Sequence, residues 1–198
     1  ALRWFKDSVC GQEKDGHYFD VLNNAAKDVP AGSDGVLFLP YLTGGTNDVK
    51  EATGCFLNMT LDTDQATLWH AVLEAIGYDY MEITDLYRGA GVDMSRITIT
   101  EGGSRSEIWN QMKSDMLGSE VITLKNAGGA VVTDCIVGAY ALGHITDMKA
   151  ALTESLEIKK LYYTNAENHD FYAKQYALQK KLVKQDMKEA FHTLKALH

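Results

Sequence analysis

The sequence predicts an α/β domain built in layers, on three observations. Short apolar or alternating stretches, the pattern of strands, are interleaved with longer stretches whose apolar residues recur at three and four, the helical period. From residue 97 to 142 the order strand, helix, strand, helix predicts neighbouring parallel strands joined by right-handed crossovers. The 198 residues, 45% apolar and 23% charged, can bury roughly two-thirds or more of their unfolded surface, enough for a core without disulfides. No boundary is predicted within 33–142. The ends, 1–30 and 150–198, read as accessory helices.

In chain order, Leu2, Phe5 and Val9 predict a short helix over 1–10. A second over 17–28 is ended by Pro30 and Gly32. Val36 to Leu39 is a buried strand or a packed extended segment and Gly54 to Met59 a strand, separated by a loop over Thr43–Lys50. Leu68, Val72, Ala75, Ile76, Tyr80 and Ile83 form the stripe of a long core-facing helix that Gly89 and Gly91 end. Arg96 to Thr100 alternates, with Ile97 and Ile99 on one face. Ser106 to Leu117 is a helix with Ile108, Met112 and Met116 on one side and Gly118 at its C-terminal stop. Val121 to Leu124 is a strand, Gly128-Gly129 a turn, and 133–142 a helix. A last helix over 168–197 carries the stripe Tyr172, Tyr176, Gln179, Val183, Met187, Ala190, Leu194 and Leu197.

Composition excludes several classes of function. The net charge is −8 and no basic stripe is present, against nucleic-acid binding. No apolar run approaches the ~20 residues of a membrane span, and nothing resembles a signal peptide. Cys10, Cys55 and Cys135 lie far apart and the six histidines are scattered, so no metal site is expected from these side chains and a reducing cytoplasm is the simplest home.

The sharpest chemical feature is Ile97-Thr98-Ile99-Thr100-Glu101-Gly102-Gly103-Ser104-Arg105-Ser106, a strand, a glycine pair and a helix start. Ligands of open α/β sheets gather beyond the carboxyl ends of strands. Glycine lets the backbone approach them, and a helix start offers free N–H groups. A Cβ at Gly103 is expected to project into the ligand's space or to meet left-handed backbone. A bland reading competes: Ser104 and Glu107 have the spacing of a capping box. Asn126-Ala127-Gly128-Gly129-Ala130 is a second such turn, predicted on the same sheet edge.

Several stretches resemble those of the FGGY carbohydrate kinases, most closely the xylulokinase-like members. They are Leu37-Phe38-Leu39-Pro40-Tyr41-Leu42-Thr43-Gly44; Gly54 to Thr60 with Ala71-Val72-Leu73-Glu74-Ala75; Glu101 to Trp109 with Gln111-Met112 and Asp115 to Gly118; and Gly138-Ala139-Tyr140-Ala141. The resemblance implies an actin-like ATPase fold of two ribonuclease-H-like domains, with ATP and sugar meeting between them. It implies Mg²⁺-assisted transfer of the γ-phosphoryl group to a sugar hydroxyl. It makes 1–198 a C-terminal nucleotide-binding domain whose partner is an N-terminal domain carrying the first phosphate loop and the catalytic aspartate. No catalytic residue is expected here, and the chain alone is expected to be inactive. Gly102, Gly103, Ser104, Ser106, Glu107, Gly128 and Gly129 are the expected nucleotide contacts. D-xylulose is the first substrate, with gluconate, ribulose and glycerol as alternatives. A non-catalytic actin-like module and a kinase relative without activity are the competing readings, and a homodimer is compatible with all. Three positions depart from the family. Glu101 stands at the first glycine of the adenosine motif, Asn58 at the signature glycine of the second strand. Gly44-Gly45-Thr46-Asn47-Asp48 replaces a Gly-Glu-Arg-Thr-Pro loop.

Overall fold

The computed structural model describes residues 1–45, 49–125 and 129–196. The chain opens with α1 (Leu2–Trp4), extended by a π turn over Phe5–Val9. Helix α2 (Tyr18–Ala25) tightens into a 3-10 turn at Ala26–Asp28 before Pro30. Strands β1 (Leu37–Leu39) and β2 (Cys55–Leu57) pair antiparallel with Leu37 opposite Leu57. The long helix α3 (Gln65–Gly89) follows, capped by Asp64, whose carboxylate accepts from the Thr67 N–H at 2.8 Å. Strand β3 (Arg96–Ile99), α4 (Glu107–Leu117) and β4 (Glu120–Leu124) make the predicted parallel pair, with Ile97 opposite Val121. Helices α5 (Gly129–Ala141) and α6 (Met148–Ser155) lead to β5 (Ile158–Tyr162). Helix α7 (Ala166–Lys181), a π turn at Leu182–Asp186 and α8 (Lys188–Lys195) complete the described chain.

Strand β5 corrects the expectation that 150–198 is wholly helical. It pairs antiparallel with β4, so the larger sheet is mixed, in the order β3-β4-β5. Ile158-Lys159-Lys160-Leu161-Tyr162 hides its strand character because it is an edge: only Tyr162 is buried, while Lys159 and Lys160 face solvent. The last helix is also less regular than its stripe. The π turn and the break at Met187 shift the register, so Val183 and Phe191 are buried against Leu39 and Ala52, whereas Ala190 is exposed. Leu197 lies outside the described residues. Helix α5 starts four residues before the predicted 133.

Helix α3 is the centre of the molecule. Its first half is buried nearly all round, at Trp69, Ala71, Val72, Leu73, Glu74, Ala75, Gly77 and Tyr78, while Ile83 of the predicted stripe is exposed. The stripe misleads because α2, β1 and α4 pack on different sides of this helix. Gly77 lets α4 come close, since a Cβ there would run into the Met116 side chain. Trp4, Phe38 and Phe56 stack beside it, with Phe38 and Phe56 ring centroids 4.4 Å apart.

One polar cluster lies inside this core. The loop at Gly32, Ser33, Asp34 and Gly35 is left-handed at all four residues, with φ of 88°, 50°, 51° and 87°. Non-glycine residues avoid that region at a cost of about 1–2 kcal/mol each, so something must hold the loop. Glu74 does. Its carboxylate accepts from the Gly32 N–H at 2.7 Å, the Ser33 hydroxyl at 2.7 Å and the Tyr172 hydroxyl at 2.8 Å. Burial outweighs these donors and pushes the Glu74 carboxyl up to about 7; burial also pushes His70 down to about 4. Ser33 Oγ lies 2.9 Å from His70 Nδ1. With Glu74 ionised, the single Ser33 proton goes to the carboxylate, so His70 carries its proton on Nδ1 and donates to Ser33. With Glu74 protonated, the direction of both bonds reverses.

Glu74→Ala therefore strands the buried donors of Gly32 and Tyr172 and leaves Ser33 with His70 alone. Chemical denaturation is expected to show a loss on the order of 3 kcal/mol or more. Tyr172→Phe, which removes one donor and leaves no orphan on the tyrosine side, is expected to cost about 1 kcal/mol.

Candidate nucleotide-binding site

Strand β3 runs into a single 3-10 turn, Glu101–Ser104, and α4 begins two residues later. The cap of α4 is Ser106, whose hydroxyl accepts from the Trp109 N–H at 3.3 Å. The capping box expected of Ser104 and Glu107 does not form. Ser104 donates its hydroxyl to the Glu101 carbonyl at 2.7 Å, and the Glu107 carboxylate pairs with Lys160 at 2.9 Å. The two-residue offset arises because the 3-10 turn consumes Ser104. Gly118, with φ of 59°, closes the helix as predicted.

The turn is held from beneath by α4. Lys113 donates its ammonium to the Gly103 carbonyl at 2.7 Å and to Asn110 Oδ1 at 3.3 Å. The Asn110 amide donates to the Ser104 carbonyl at 2.7 Å. Lys113 Nζ also sits 3.7 Å from the centroid of the Trp109 ring, within cation–π range. The Trp109 indole in turn donates to the Leu73 carbonyl of α3 at 3.2 Å. Lys113 is 1% exposed, and burial pushes its ammonium down to about 7.

A Cβ built on Gly102 meets nothing within 4 Å. One built on Gly103 meets Lys113, Ile99 and Trp109 at 3.8–3.9 Å, ordinary contact, and Gly103 is not left-handed. The expectation for Gly103 is thereby corrected: its missing side chain would point at the turn's support, and Gly102 is the residue with open space beside it. Next to the turn, Arg105, Ser106, Glu107 and Ile108 line a groove of about 420 Å³ with Asp20, Asn23, Asn24 and Lys27. A second cavity of about 350 Å³ shares Lys27 and Ile108 and reaches His70, Asp115 and Tyr172.

Five of the expected contacts, Gly102, Gly103, Ser104, Ser106 and Glu107, thus fall in one turn and helix start. Gly128 lies outside the described residues, and Gly129 is the first residue of α5. Sequence reasoning missed Asn110 and Lys113. Lys113 had a legible signal: it follows Trp109 by four and precedes Met116 by three, a cation on an apolar stripe. Among the described residues, no group of three or more His, Cys, Asp or Glu converges as a metal ion requires, and no helix is long and apolar enough to cross a membrane.

A glycine-bearing turn after a parallel strand, with a groove at the helix start that follows it, lies where open α/β sheets gather their ligands. Residues 1–142 match the C-terminal domain of the FGGY family of carbohydrate kinases, and the chain belongs to that family. It is 28% identical over 187 residues to a xylulose kinase of Staphylococcus epidermidis, covering 93% of this chain and 37% of that protein. It is 32% identical over 162 residues to a gluconokinase of Bacillus subtilis, covering 76% and 31%. The solved structure of a xylulose kinase from Rhodospirillum rubrum superposes with a TM-score of 0.76 at 25% identity, over 96% of this chain and 38% of that one. The chain thus spans between 31% and 38% of the length of these relatives.

Family membership gives meaning to two torsions. Glu101 and Asn58, the residues expected from the resemblance to stand in place of glycine, are left-handed, with φ of 58° and 60°. Asn58 is a residue type that tolerates this region, and its amide donates to the Gly35 carbonyl at 3.0 Å. Glutamate lacks that tolerance. Glu101→Gly is expected to raise stability by up to about 1 kcal/mol in denaturant unfolding, the relief of strain being offset in part by unfolded-state entropy.

Proposed function

We propose that this chain is the nucleotide-binding part of an ATP-dependent sugar kinase with an actin-like ATPase fold, and that the acceptor is D-xylulose, phosphorylated to D-xylulose 5-phosphate. The observation that carries the reading is the Glu101–Ser104 turn, whose carbonyls at Gly103 and Ser104 are taken up from beneath while Gly102 borders open space. Bound ATP supplies the transferable γ-phosphoryl group. The part of this chain is to bind and orient. The groove beside Ser106 and Glu107, of about 420 Å³, has the volume for an adenosine. Of the first N–H groups of α4, that of Trp109 is taken by the Ser106 hydroxyl; those of Glu107 and Ile108 have no intrahelical acceptor and suit a ligand or water. Mg²⁺ is the expected companion of the phosphates, but the described side chains do not by themselves make a magnesium site, and no step is assigned to the metal. A base and a further phosphate loop belong to an N-terminal domain of the same protein. Gluconate is the second reading, favoured by the 32% identity to a gluconokinase.

A coupled assay of ADP release by the full-length protein, over a panel of sugars and polyols, tests the reading. Turnover with D-xylulose, ATP and Mg²⁺ is expected, and none from the 198-residue chain alone. Activity confined to gluconate or glycerol would replace the substrate, and a nucleotide-binding protein inactive on every sugar would replace the class. In the same enzyme Gly102→Val is expected to raise KM for ATP about 30- to 150-fold, equivalent to about 2–3 kcal/mol, with KM for sugar little changed.

A further inference from the structure

We propose that Lys113 is a positioning residue for nucleotide binding: with Asn110 it clamps the Gly103 and Ser104 carbonyls from the core side, so that the opposite face of the turn meets the nucleotide in one conformation. The proposal rests on the nucleotide reading of that turn.

Burying a lysine without a counter-charge is unfavourable, and a methionine of similar length would fill the same space without that cost. Lys113 is nevertheless 1% exposed, and among the described residues no carboxylate pairs with it. What lysine supplies there and methionine does not is a donor. Its ammonium reaches the Gly103 carbonyl at 2.7 Å and the Asn110 side-chain carbonyl at 3.3 Å, with the Trp109 ring face 3.7 Å away as a further stabiliser of the cation.

Geometry makes this an organised clamp. Asn110 and Lys113 are three residues apart, hence on one face of α4, and they take two consecutive carbonyls of the turn. Asn110 is itself fully buried. Trp109 ties the same helix to the Leu73 carbonyl, so the clamp is anchored to α3. The clamped segment contains two glycines, which lose more conformational freedom on ordering than any other residue. Without the clamp, a ligand binding at this turn would have to order it, and affinity would fall by that cost. Lys113 is not among the residues lining the groove and its ammonium contacts the Gly103 carbonyl, so it acts through the turn.

The test is Lys113→Met in the full-length protein. KM for ATP is expected to rise about tenfold, the effect of one lost charge-assisted hydrogen bond, while kcat and KM for sugar stay within about twofold. Amide hydrogen exchange over residues 102–105, measured without ATP, is expected to speed up by a similar factor. Lys113→Gln, which keeps an N–H donor, is expected to fall between methionine and wild type, and is read in the same way if the methionine variant does not fold. Unchanged KM for ATP together with unchanged exchange overturns the proposal, as does an equal rise in both Michaelis constants, which would mark a general loss of structure. If Gly102→Val raises KM for ATP but Lys113→Met does not, only the clamp fails. If neither does, the nucleotide reading of the turn fails with it.

Discussion

Glu74 lies midway along α3, 2% exposed, and donors from distant parts of the chain converge on its two carboxylate oxygens. Gly32 and Ser33 come from the loop after α2, and Tyr172 from α7, 98 residues after Glu74. The loop adopts a conformation that its serine and aspartate resist, and the carboxylate is what makes that conformation the best available. The rest of the architecture depends on this junction. It sets where β1 begins against α3 and where α7 crosses the core. An apolar residue at position 74 would leave buried donors without an acceptor and hold neither.

Helix α4 does the corresponding work for the site. Met112 and Met116 join the main apolar cluster, while Asn110 and Lys113 turn to the glycine-bearing segment before them. Placement of the turn is therefore a by-product of core packing: Trp109 both fills space and passes a hydrogen bond back to α3. Because the site's rigid support is built from the most buried layer of the molecule, its geometry is tied to the global fold rather than to a loop able to move alone.

Much of this was legible in the sequence, for identifiable reasons. The β3–α4–β4 unit has clean signals: Ile97 and Ile99 alternate, Gly118 stops the helix, and the strands are short and apolar. The long helix was legible as an element but not in its buried face, because residues packed on several sides carry no single stripe. Strand β5 was hidden by lysines that suit an edge. The five turn and helix-start residues of the candidate site were singled out through glycines and small polar residues, which constrain the backbone strongly. The clamp was not found, because a lysine in a helix reads as solvated surface unless its neighbours at four and three residues are weighed with it. Glu74 was read as part of a family stretch, and nothing in the one-dimensional pattern said that a carboxylate there has its partners inside.

Positions 58 and 101 carry a lesson about inheritance. Glycine is absent from both, yet the backbone keeps the positive φ that glycine would have occupied freely. What descends at such a place is an angle, and the letter follows only as far as the angle demands. Asparagine meets the demand through its own short amide, whereas glutamate is carried by its surroundings. A motif written in residue names would count a change at such a position as a loss. One written in torsions would not, and drift at these sites is free to sample any residue that the neighbouring contacts can hold past zero.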